Sequence, residues 1–329
     1  DVARLAKVSK STVSNVIRDA KGIAPQTIAR VRAAIDELGY RPNVLARQLV
    51  QQRTNVLGVV VGDLANPFFS EMTKQIERYA GQHGYQVMFC NTQIDEHIEI
   101  AGLLDYRIAG LIFLAYAGDE ESARLVTESR VPALFLTCTA DWGDVVSPDD
   151  EKGGRIATEH LIELGHRRIA YIADPSVEDA ADQARQAGYR RAMTKAGLAT
   201  AVYHWQGSEA KTLKETAIEK VLLGEDRMTG VFSSNDLGAI ELLDCADRLG
   251  VRVPRDLSVV GFDDVMLAGL RRINLTTVVQ PKEMMARIAV ATLSSRIKGE
   301  LTGGHLRQIV DCGLIVRGST APPPNGGKS

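Results

Sequence analysis

The pattern that most constrains the fold begins at Asn55, where short apolar runs alternate with longer amphipathic stretches. Residues 56–61 read VLGVVV, and a strand without polar positions is typical of a sheet that is buried on both faces. The stretch 68–83 then has apolar residues at helical spacing, and residues 85–90 give a second strand. This alternation predicts a parallel sheet with helices on both faces.

The alternation runs through the chain twice, in two series with the same layout but different sequences. The predicted strands lie at 56–61, 85–90, 110–114 and 131–136 in the first series, and at 168–173, 201–205, 230–233 and 257–262 in the second. The helices between and after them are predicted at 95–104, 122–129, 149–164, 184–196, 211–223, 237–249 and 284–298, before a last strand at 314–317. We therefore expect an α/β body of two doubly wound parallel-sheet subdomains, with a ligand cleft at the carboxyl ends of the strands.

The first 18 residues predict a small, separate helical unit. Apolar residues recur at i, i+3 and i+4 in two short helices, and Ser9 can cap the second. These apolar positions are Val2, Leu5, Ala6, Val13, Val16 and Ile17. The opposite face of the second helix carries Lys10, Ser11, Ser14 and Asn15. On this stretch alone, a helix-turn-helix that reads base edges and a helical hairpin with a solvated polar face both remain open.

The charge of the chain is unevenly distributed. Residues 1–53 hold ten basic and four acidic residues, a net charge of +6, whereas the remainder holds 29 basic and 37 acidic residues, a net charge of −8. Only the amino-terminal unit therefore has the charge expected of a module that binds phosphates. The acidic remainder would repel DNA and favour one docking orientation.

Several motifs in fixed order resemble one family. After a third amphipathic helix at 28–38, a break at 40–43 and a short helix at 44–52, they continue almost to the end of the chain. They read DVARLAKVSKSTVSNVIR, ELGYRPNVLARQL, NVLGVVV, ELGHRRIAYIA, RQAGYRRAM, SSNDLGA, SVVGFDD, LTTVVQP and LIVRGSTAPP. The chain resembles the lactose/galactose repressor family of bacterial transcription regulators. The resemblance implies a helix-turn-helix head with a hinge helix, and a body like that of periplasmic sugar-binding proteins.

The resemblance also assigns DNA-binding residues. Lys10 and Ser11 match the outer specificity positions of the recognition helix, which also exposes Ser14. Asn15 stands where the family commonly has Arg, so we expect a half-site that favours adenine instead of guanine at one base pair. The expected phosphate contacts are Thr12, Arg18, Thr27, Tyr40 and Asn43.

The hinge segment 41–53 is expected to act in the minor groove. In the family, a leucine of the hinge helix wedges open the central base step, and Leu49 matches it, with Ala46 and Arg47 beside it. An alternative is that Leu45 and Leu49 only pack against the body.

The expected effector-binding residues follow strand ends in the body. The family's pocket positions correspond here to Phe68, Phe69, Thr137, Arg185, Asn235 and Asp263. Carboxylates and an Arg fork facing a cleft suit vicinal hydroxyls, so we expect a sugar or sugar derivative. Thr137 replaces an Asp of some sugar-binding members, which argues against a simple galactoside. Asp179 and Ala181 replace an Arg and a Thr of purine-binding members, which argues against a purine corepressor.

Alternative roles remain for several polar and aromatic residues near the strand ends. Asp63 and Asn66 follow the first strand of the body. Asp236 and Asp264 can serve as helix caps instead of ligand contacts. Trp205 can stack on a ligand or pack in the core.

Signals for other functions are weak. The six histidines show no metal-ligand spacing, and the sequence contains no GxSxG elbow, P-loop or dinucleotide fingerprint. We expect no catalytic residue, no metal and no cofactor, and four free thiols in a reducing cytoplasm. Two alternatives remain: a sugar-binding module with a vestigial head, and an α/β enzyme.

These observations predict the organisation of the whole chain. We expect a DNA-binding domain at 1–40, a hinge helix at 41–53, an effector-binding and dimerisation domain at 54–320 and a disordered tail at 321–329. The two subdomains would comprise 54–150 plus 281–308 and 151–280 plus 309–320. The tail has no heptad repeat, so we expect a homodimer on a pseudo-palindromic operator. With no signal peptide or membrane span, we expect a cytoplasmic, nucleoid-associated bacterial protein that lacks a few native amino-terminal residues.

Overall fold

The chain forms two compact units, a head, Asp1–Thr54, and a body, Asn55–Ser329. The structure is a computed structural model that describes residues 1–17, 22–40, 54–92, 96–116, 118–173, 180–204, 221–223 and 227–324, without the side chains of 96–99. Among these residues, no helix is long and apolar enough to span a bilayer.

The head is a helical unit built around its valines. It contains α1 (Val2–Leu5), α2 (Lys10–Ile17) and α3 (Pro25–Glu37). Its buried residues are Val2, Ala6, Val13, Val16, Val31 and Ala34. The Ser9 hydroxyl accepts a hydrogen bond from the Thr12 amide (3.0 Å) and caps α2, as its position before the apolar repeat predicts. The predicted helix-turn-helix head is confirmed.

The first sheet of the body has six strands among the described residues, and all of its pairings are parallel. They are β1 (Val56–Val61), β2 (Gln86–Asn91), β3 (Gly110–Leu114), β4 (Ala133–Leu136), β5 (Asp144–Pro148) and β11 (Arg307–Val310), in the order β11-β5-β4-β3-β1-β2. The strands β1, β3 and β4 are almost completely buried, as their apolar runs predict.

The second sheet repeats this layout. Its strands are β6 (Ile169–Ala173), β7 (Ala201–His204), β8 (Gly230–Ser233), β9 (Ser258–Asp263), β10 (Thr276–Val279) and β12 (Gly313–Ile315), in the order β12-β10-β9-β8-β6-β7. The strand β12 is antiparallel to β10, whereas the other pairings are parallel. The predicted fold class is confirmed.

Helices cover the two sheets and connect them. They are α4 (Pro67–Gln82), α5 (Glu96–Asp105), α6 (Glu120–Ser129), α7 (Asp150–Glu163), α8 (Ala180–Lys195), α9 (Asp236–Arg248) and α10 (Lys282–Lys298), with a 3-10 turn at Met266–Gly269. The chain passes from one sheet to the other between β5 and α7, between β10 and α10, and between β11 and β12. Each sheet and its helices form one lobe of the body.

The structure corrects several sequence-based expectations. The sequence patterns did not predict β5, β10 and β11, and α8 begins at Ala180, so Arg185 lies in its second turn and does not open it. The first residue of the predicted disordered tail, Ala321, is bound to the body. Its carbonyl oxygen lies 2.9 Å from His166 Nε2 and accepts a hydrogen bond from the Ser258 hydroxyl (2.9 Å). Of the helix predicted at 211–223, residues 221–223 are helical, whereas residues 211–220, together with Trp205 and Asp179, lie outside the described residues.

Two glycines let the backbones of α7 and α8 come into direct contact. A Cβ atom at Gly154 would overlap the carbonyl oxygen of Arg185, and one at Gly188 would overlap the carbonyl oxygen of Glu151. Only glycine fits at these contacts, since the obstacle in each case is backbone. The close approach fixes Arg185 next to the first turn of α7.

We predict that Gly188→Ala lowers the free energy of unfolding by about 1–3 kcal/mol or more, because a methyl group forces α7 and α8 apart. Gly81→Ala is the matched control, since Gly81 is also helical but has open space around its Cβ position. That change should be neutral or stabilising by up to about 1 kcal/mol. Thermal unfolding of both variants measures the difference, and equal melting temperatures would contradict the role of the glycine contact.

Candidate functional sites

The exposed face of α2 is the candidate DNA-binding surface. Lys10, Ser11 and Asn15 are exposed and Ser14 is half-buried, whereas Val13 and Val16 on the other side of the helix are buried. Residues 10, 11, 14 and 15 of one helix share a face. The structure thus brings the predicted base-reading residues together on one polar surface.

The hydroxyl groups beside this face are linked to one another. The Ser9 hydroxyl lies 2.6 Å from that of Ser11 and 2.8 Å from that of Thr12. Thr27 lies in the first turn of α3, and Tyr40 follows α3 with an exposed side chain. The other predicted DNA contacts lie outside the described residues: Arg18, Asn43, Ala46, Arg47 and Leu49.

The candidate effector site is built around Arg185. Its Nε donates to Asp150 Oδ1 (2.7 Å) and its Nη1 donates to the Ser234 carbonyl (2.8 Å). Its guanidinium carbon lies 3.8 Å from the ring centroid of Phe262. Although burial lowers the pKa of Arg185, Asp150 and Asp263 raise it above its ordinary value, so the guanidinium stays charged. Nη2 donates to none of the described residues, so it can donate to a ligand.

Asp263 ends β9 close to this guanidinium. Its carboxylate accepts a hydrogen bond from Gln280 Nε2 (2.7 Å). Burial raises the pKa of Asp263 to about 6, although Arg185 and Gln280 act in the opposite direction. Asp263 has a φ of 121°, a conformation that costs free energy in a non-glycine residue and is often found at functional sites.

Two buried polar atoms near the strand ends have no hydrogen-bond partner among the described residues. They are Thr137 Oγ1, directly after β4, and Gln280 Oε1, directly after β10. Thr137 is also in the left-handed region, with a φ of 65°. An unsatisfied buried polar atom costs free energy, so both oxygens are candidates for bonds to a ligand.

The other predicted pocket residues have defined roles in the fold. The Asn235 side chain accepts from the Gly238 amide (2.7 Å) and caps α9. Asn66 caps α4 by accepting from the Phe68 amide (3.0 Å). The rings of Phe68 and Phe69 pack edge to face with their centroids 5.3 Å apart.

The alternative of Asp236 and Asp264 as helix caps is wrong. Asp236 is fully buried, and its carboxylate accepts from the Thr277 hydroxyl (2.5 Å) and the Val265 amide (2.9 Å). Burial raises the pKa of Asp236 well above its ordinary value, and nearby Asp263 adds to this effect. Asp264 forms an ion pair with Arg317 (2.6 Å).

Sequence reasoning missed the residues that join the lobes at this site. Lys282 Nζ donates to the carbonyls of Asp263 and Asp264 (2.7 Å each) and lies 3.2 Å from Glu71 Oε2. Glu71 Oε1 in turn accepts from the Met266 amide (2.7 Å). A predicted strand at β10 would have revealed Gln280, which directly follows its end, and Lys282, which lies two residues further on.

The described side chains do not suggest a metal site. No group of three or more His, Cys, Asp or Glu side chains among them is placed to hold a metal ion. The arrangement around Arg185 supplies hydrogen-bond donors and acceptors at the carboxyl edge of the second sheet.

Comparisons with known proteins agree with this architecture. Residues 1–43 match the model described as bacterial regulatory proteins, lacI family, and residues 158–320 match the periplasmic binding protein-like domain. The chain is 33% identical over 334 residues to the HTH-type transcriptional repressor PurR of Photobacterium profundum, covering 97% of each chain. The chain belongs to the lacI family. It is a DNA-binding transcriptional regulator.

Two solved structures are similar over almost the whole chain. One is a complex of the transcriptional regulator CelR with cellobiose, with 31% identity, a TM-score of 0.72 and coverage of 97% of this chain and 98% of that one. The other is the lac repressor dimer bound to operator and the anti-inducer ONPF, with 29% identity, a TM-score of 0.84 and coverage of 98% of both. Both lobes and the head of this lacI-family chain therefore have counterparts in these regulators.

We predict a pH-dependent effect of Asp263→Asn on stability. Since the folded-state pKa of Asp263 is about 6 and an unfolded Asp titrates near 4, the wild type loses stability as pH rises from about 4 to about 6. The variant should match the wild type near pH 4 and exceed it above pH 6 by up to about 3 kcal/mol.

Thermal unfolding between pH 4 and 8 measures this difference. Asp247→Asn, which removes an exposed carboxylate of α9, controls for the change in net charge. A constant difference between Asp263→Asn and the wild type over this range would contradict the raised pKa.

Proposed function

We propose that this lacI-family regulator is a homodimeric repressor whose affinity for a pseudo-palindromic operator is set by a sugar-like effector. The effector would bind between the lobes, at Arg185 and Asp263. The observation that carries this proposal is the fixed guanidinium of Arg185, which is held on three sides and keeps Nη2 available beside a buried carboxylate. The protein would act in the bacterial cytoplasm, on the nucleoid.

The chemistry of the site suits vicinal hydroxyl groups. A hydroxyl can donate to Asp263 while its neighbour accepts from Arg185, and such charge-assisted hydrogen bonds are the strong ones. Thr137 Oγ1 and Gln280 Oε1 offer further partners, and Phe68, Phe69 and Asn235 complete the proposed pocket. That CelR was solved with cellobiose supports this class of ligand.

The proposed DNA contacts follow from the head. Lys10, Ser11, Ser14 and Asn15 would reach base edges in the major groove. The proposed phosphate contacts are Thr12, Arg18, Thr27, Tyr40 and Asn43, and the proposed hinge contacts in the minor groove are Ala46, Arg47 and Leu49. That the lac repressor dimer was solved on operator supports both the dimer and this mode of binding.

Effector and operator would be coupled through the angle between the lobes. Glu71 and Lys282 belong to the first lobe and hold the loop 263–266 of the second. A ligand that rearranges these contacts changes the relative stability of the lobe arrangements, and the resulting coupling is reciprocal.

We expect Arg185→Ala to abolish the rise in melting temperature that an effector causes, since a ligand stabilises only the state that binds it. The control is Arg190→Ala, which removes an exposed arginine of the same helix. A screen of the full chain against sugars, sugar acids, sugar phosphates and nucleosides measures the shifts. An effector that still stabilises Arg185→Ala as much as wild type would contradict the proposed pocket.

We expect operator selection with the wild type to recover adenine at the base pair that Asn15 reads. Asn15→Arg should change that preference to guanine, because Arg pairs with guanine O6 and N7. Guanine recovered with the wild type would contradict this contact.

The logarithm of the operator affinity should also fall steeply with the logarithm of the salt concentration. Lys10→Ala should reduce the magnitude of this slope by about one if Lys10 contacts a phosphate, and leave it unchanged if Lys10 contacts only a base. Lys298→Ala, on the body, is the control. A wild type with no salt dependence would support the alternative of a vestigial head.

A further inference from the structure

We propose that the Ser9 hydroxyl determines which bases Ser11 can read, because it leaves the Ser11 hydroxyl with hydrogen-bond acceptors only. Ser11 would then select adenine or cytosine on the strand that it contacts. This proposal rests on the proposed DNA contacts, in which Ser11 reaches a base edge and Thr12 reaches a phosphate. It adds the chemical character of the base contact and assigns Ser9 as the residue that sets it.

The Ser9 hydroxyl has three neighbours, which together use its whole hydrogen-bonding capacity. It accepts from the Thr12 amide (3.0 Å), and it lies 2.6 Å from the Ser11 hydroxyl and 2.8 Å from the Thr12 hydroxyl. A hydroxyl group has one hydrogen to donate and two lone pairs. Since the amide occupies one lone pair, one neighbouring hydroxyl must donate to Ser9 and the other must accept from it.

The hydroxyls of Ser11, Ser9 and Thr12 therefore form a chain with only two possible directions. In one direction Ser11 donates to Ser9 and Ser9 donates to Thr12, and in the other direction both bonds are reversed. The hydroxyl at the accepting end keeps its own hydrogen for DNA, whereas the hydroxyl at the donating end offers only lone pairs. The groups that DNA presents to the two ends thus decide the direction.

The positions of Ser11 and Thr12 on α2 indicate which of them faces a base. Each helical residue is rotated by about 100° from the one before it, so the exposed Ser11 lies opposite the buried stripe of Val13 and Val16. Thr12 is half-buried and lies about 40° from Val16, at the border of the polar face. The middle of the exposed face of a helix in the major groove meets base edges, and its borders meet the sugar-phosphate backbone.

A phosphate at Thr12 would fix the direction of the chain. Phosphate oxygens only accept hydrogen bonds, so Thr12 must keep its hydrogen to bind one. Thr12 then accepts from Ser9, and Ser9 accepts from Ser11. The Ser11 hydroxyl is left with lone pairs, which suit the amino groups of adenine N6 and cytosine N4, whereas guanine and thymine present only acceptors in the major groove.

The experiment measures the affinity of the full chain for operators that lack one exocyclic group of one base. Operator selection with the wild type and Ser11→Ala first identifies the base pair whose preference depends on Ser11. At that pair, purine deoxyriboside replaces adenine, or 2-pyrimidinone deoxyriboside replaces cytosine, which removes the amino group. In matched operators, 5-methyl-2-pyrimidinone replaces thymine, or 2-aminopurine replaces guanine, which removes the keto oxygen. The affinity of Ser11→Ala for each operator corrects for weakened base pairing.

Removal of the amino group should weaken binding by the wild type about fivefold more than binding by Ser11→Ala, as expected for one neutral hydrogen bond. Removal of the keto oxygen should weaken both proteins equally. A loss that depends on Ser11 and on the keto oxygen overturns the proposal, because the Ser11 hydroxyl would then be the donor. A Ser11→Ala variant with unchanged base preferences also overturns it, since Ser11 would then read no base.

Two variants test whether Ser9 and Thr12 set this preference. Thr12→Val keeps the size of the side chain and the capping amide but removes the hydroxyl that accepts from Ser9. Ser9 can then donate to Ser11, so the dependence on the amino group should fall from about fivefold to below about twofold. Ser9→Ala should have the same effect, although it also removes the cap of α2. Thr12→Val therefore preserves the test if Ser9→Ala does not fold.

The matched control is Ser9→Thr, which keeps both the cap and the hydroxyl and should retain the dependence of the wild type on the amino group. If Thr12→Val and Ser9→Ala also retain it, the chain of hydroxyls does not set the base preference and the proposal is wrong, although the head binds DNA as proposed. If the wild type selects no operator at any salt concentration, the proposed DNA contacts are themselves wrong, and the role of Ser9 falls with them.

Discussion

The buried pair of Arg185 and Asp150 joins the elements on which the candidate effector site depends. Asp150 begins α7, directly after the chain leaves the first sheet, and Arg185 lies on α8, which packs against α7. The same guanidinium binds the carbonyl after β8 and covers the ring of Phe262 on β9. A buried ion pair gains little net stability, because desolvation offsets much of the attraction. The pair instead fixes the position of the Arg185 guanidinium, the proposed hydrogen-bond donor to the effector.

Backbone constraints bring this pair together. Gly154 and Gly188 allow the two helices to touch, and Arg185 Nε lies 2.7 Å from Asp150 Oδ1. At the neighbouring strand ends, Thr137 and Asp263 adopt positive φ angles, which L-residues adopt only where surrounding contacts compensate for the strain. The site is thus positioned by close helix packing and by strained strand ends.

The sequence predicts the central strands well, because β1, β3 and β4 contain almost no polar residues and cannot be exposed. It does not reveal β5, β10 and β11, since these strands mix polar residues or a proline with short apolar runs. Arg185 and Asp263 could be expected from family motifs, whereas Asp150 could not, because its pairing with Arg185 depends on two helices that meet in space. The contacts of the Ser9 hydroxyl with those of Ser11 and Thr12 could likewise not be predicted from the sequence.

The contacts between the lobes explain how a small ligand could affect the whole body. Lys282 binds two successive carbonyls at the end of β9, and Glu71 binds both Lys282 and the amide of Met266. The first of those carbonyls belongs to Asp263, the residue proposed to accept the ligand's hydroxyl. A ligand that moves Asp263 must therefore also move the acceptor of the Lys282 ammonium, and a change of a few tenths of an ångström alters a hydrogen bond that joins the lobes. In the proposed mechanism, ligand binding and lobe arrangement share Asp263, which would couple them physically.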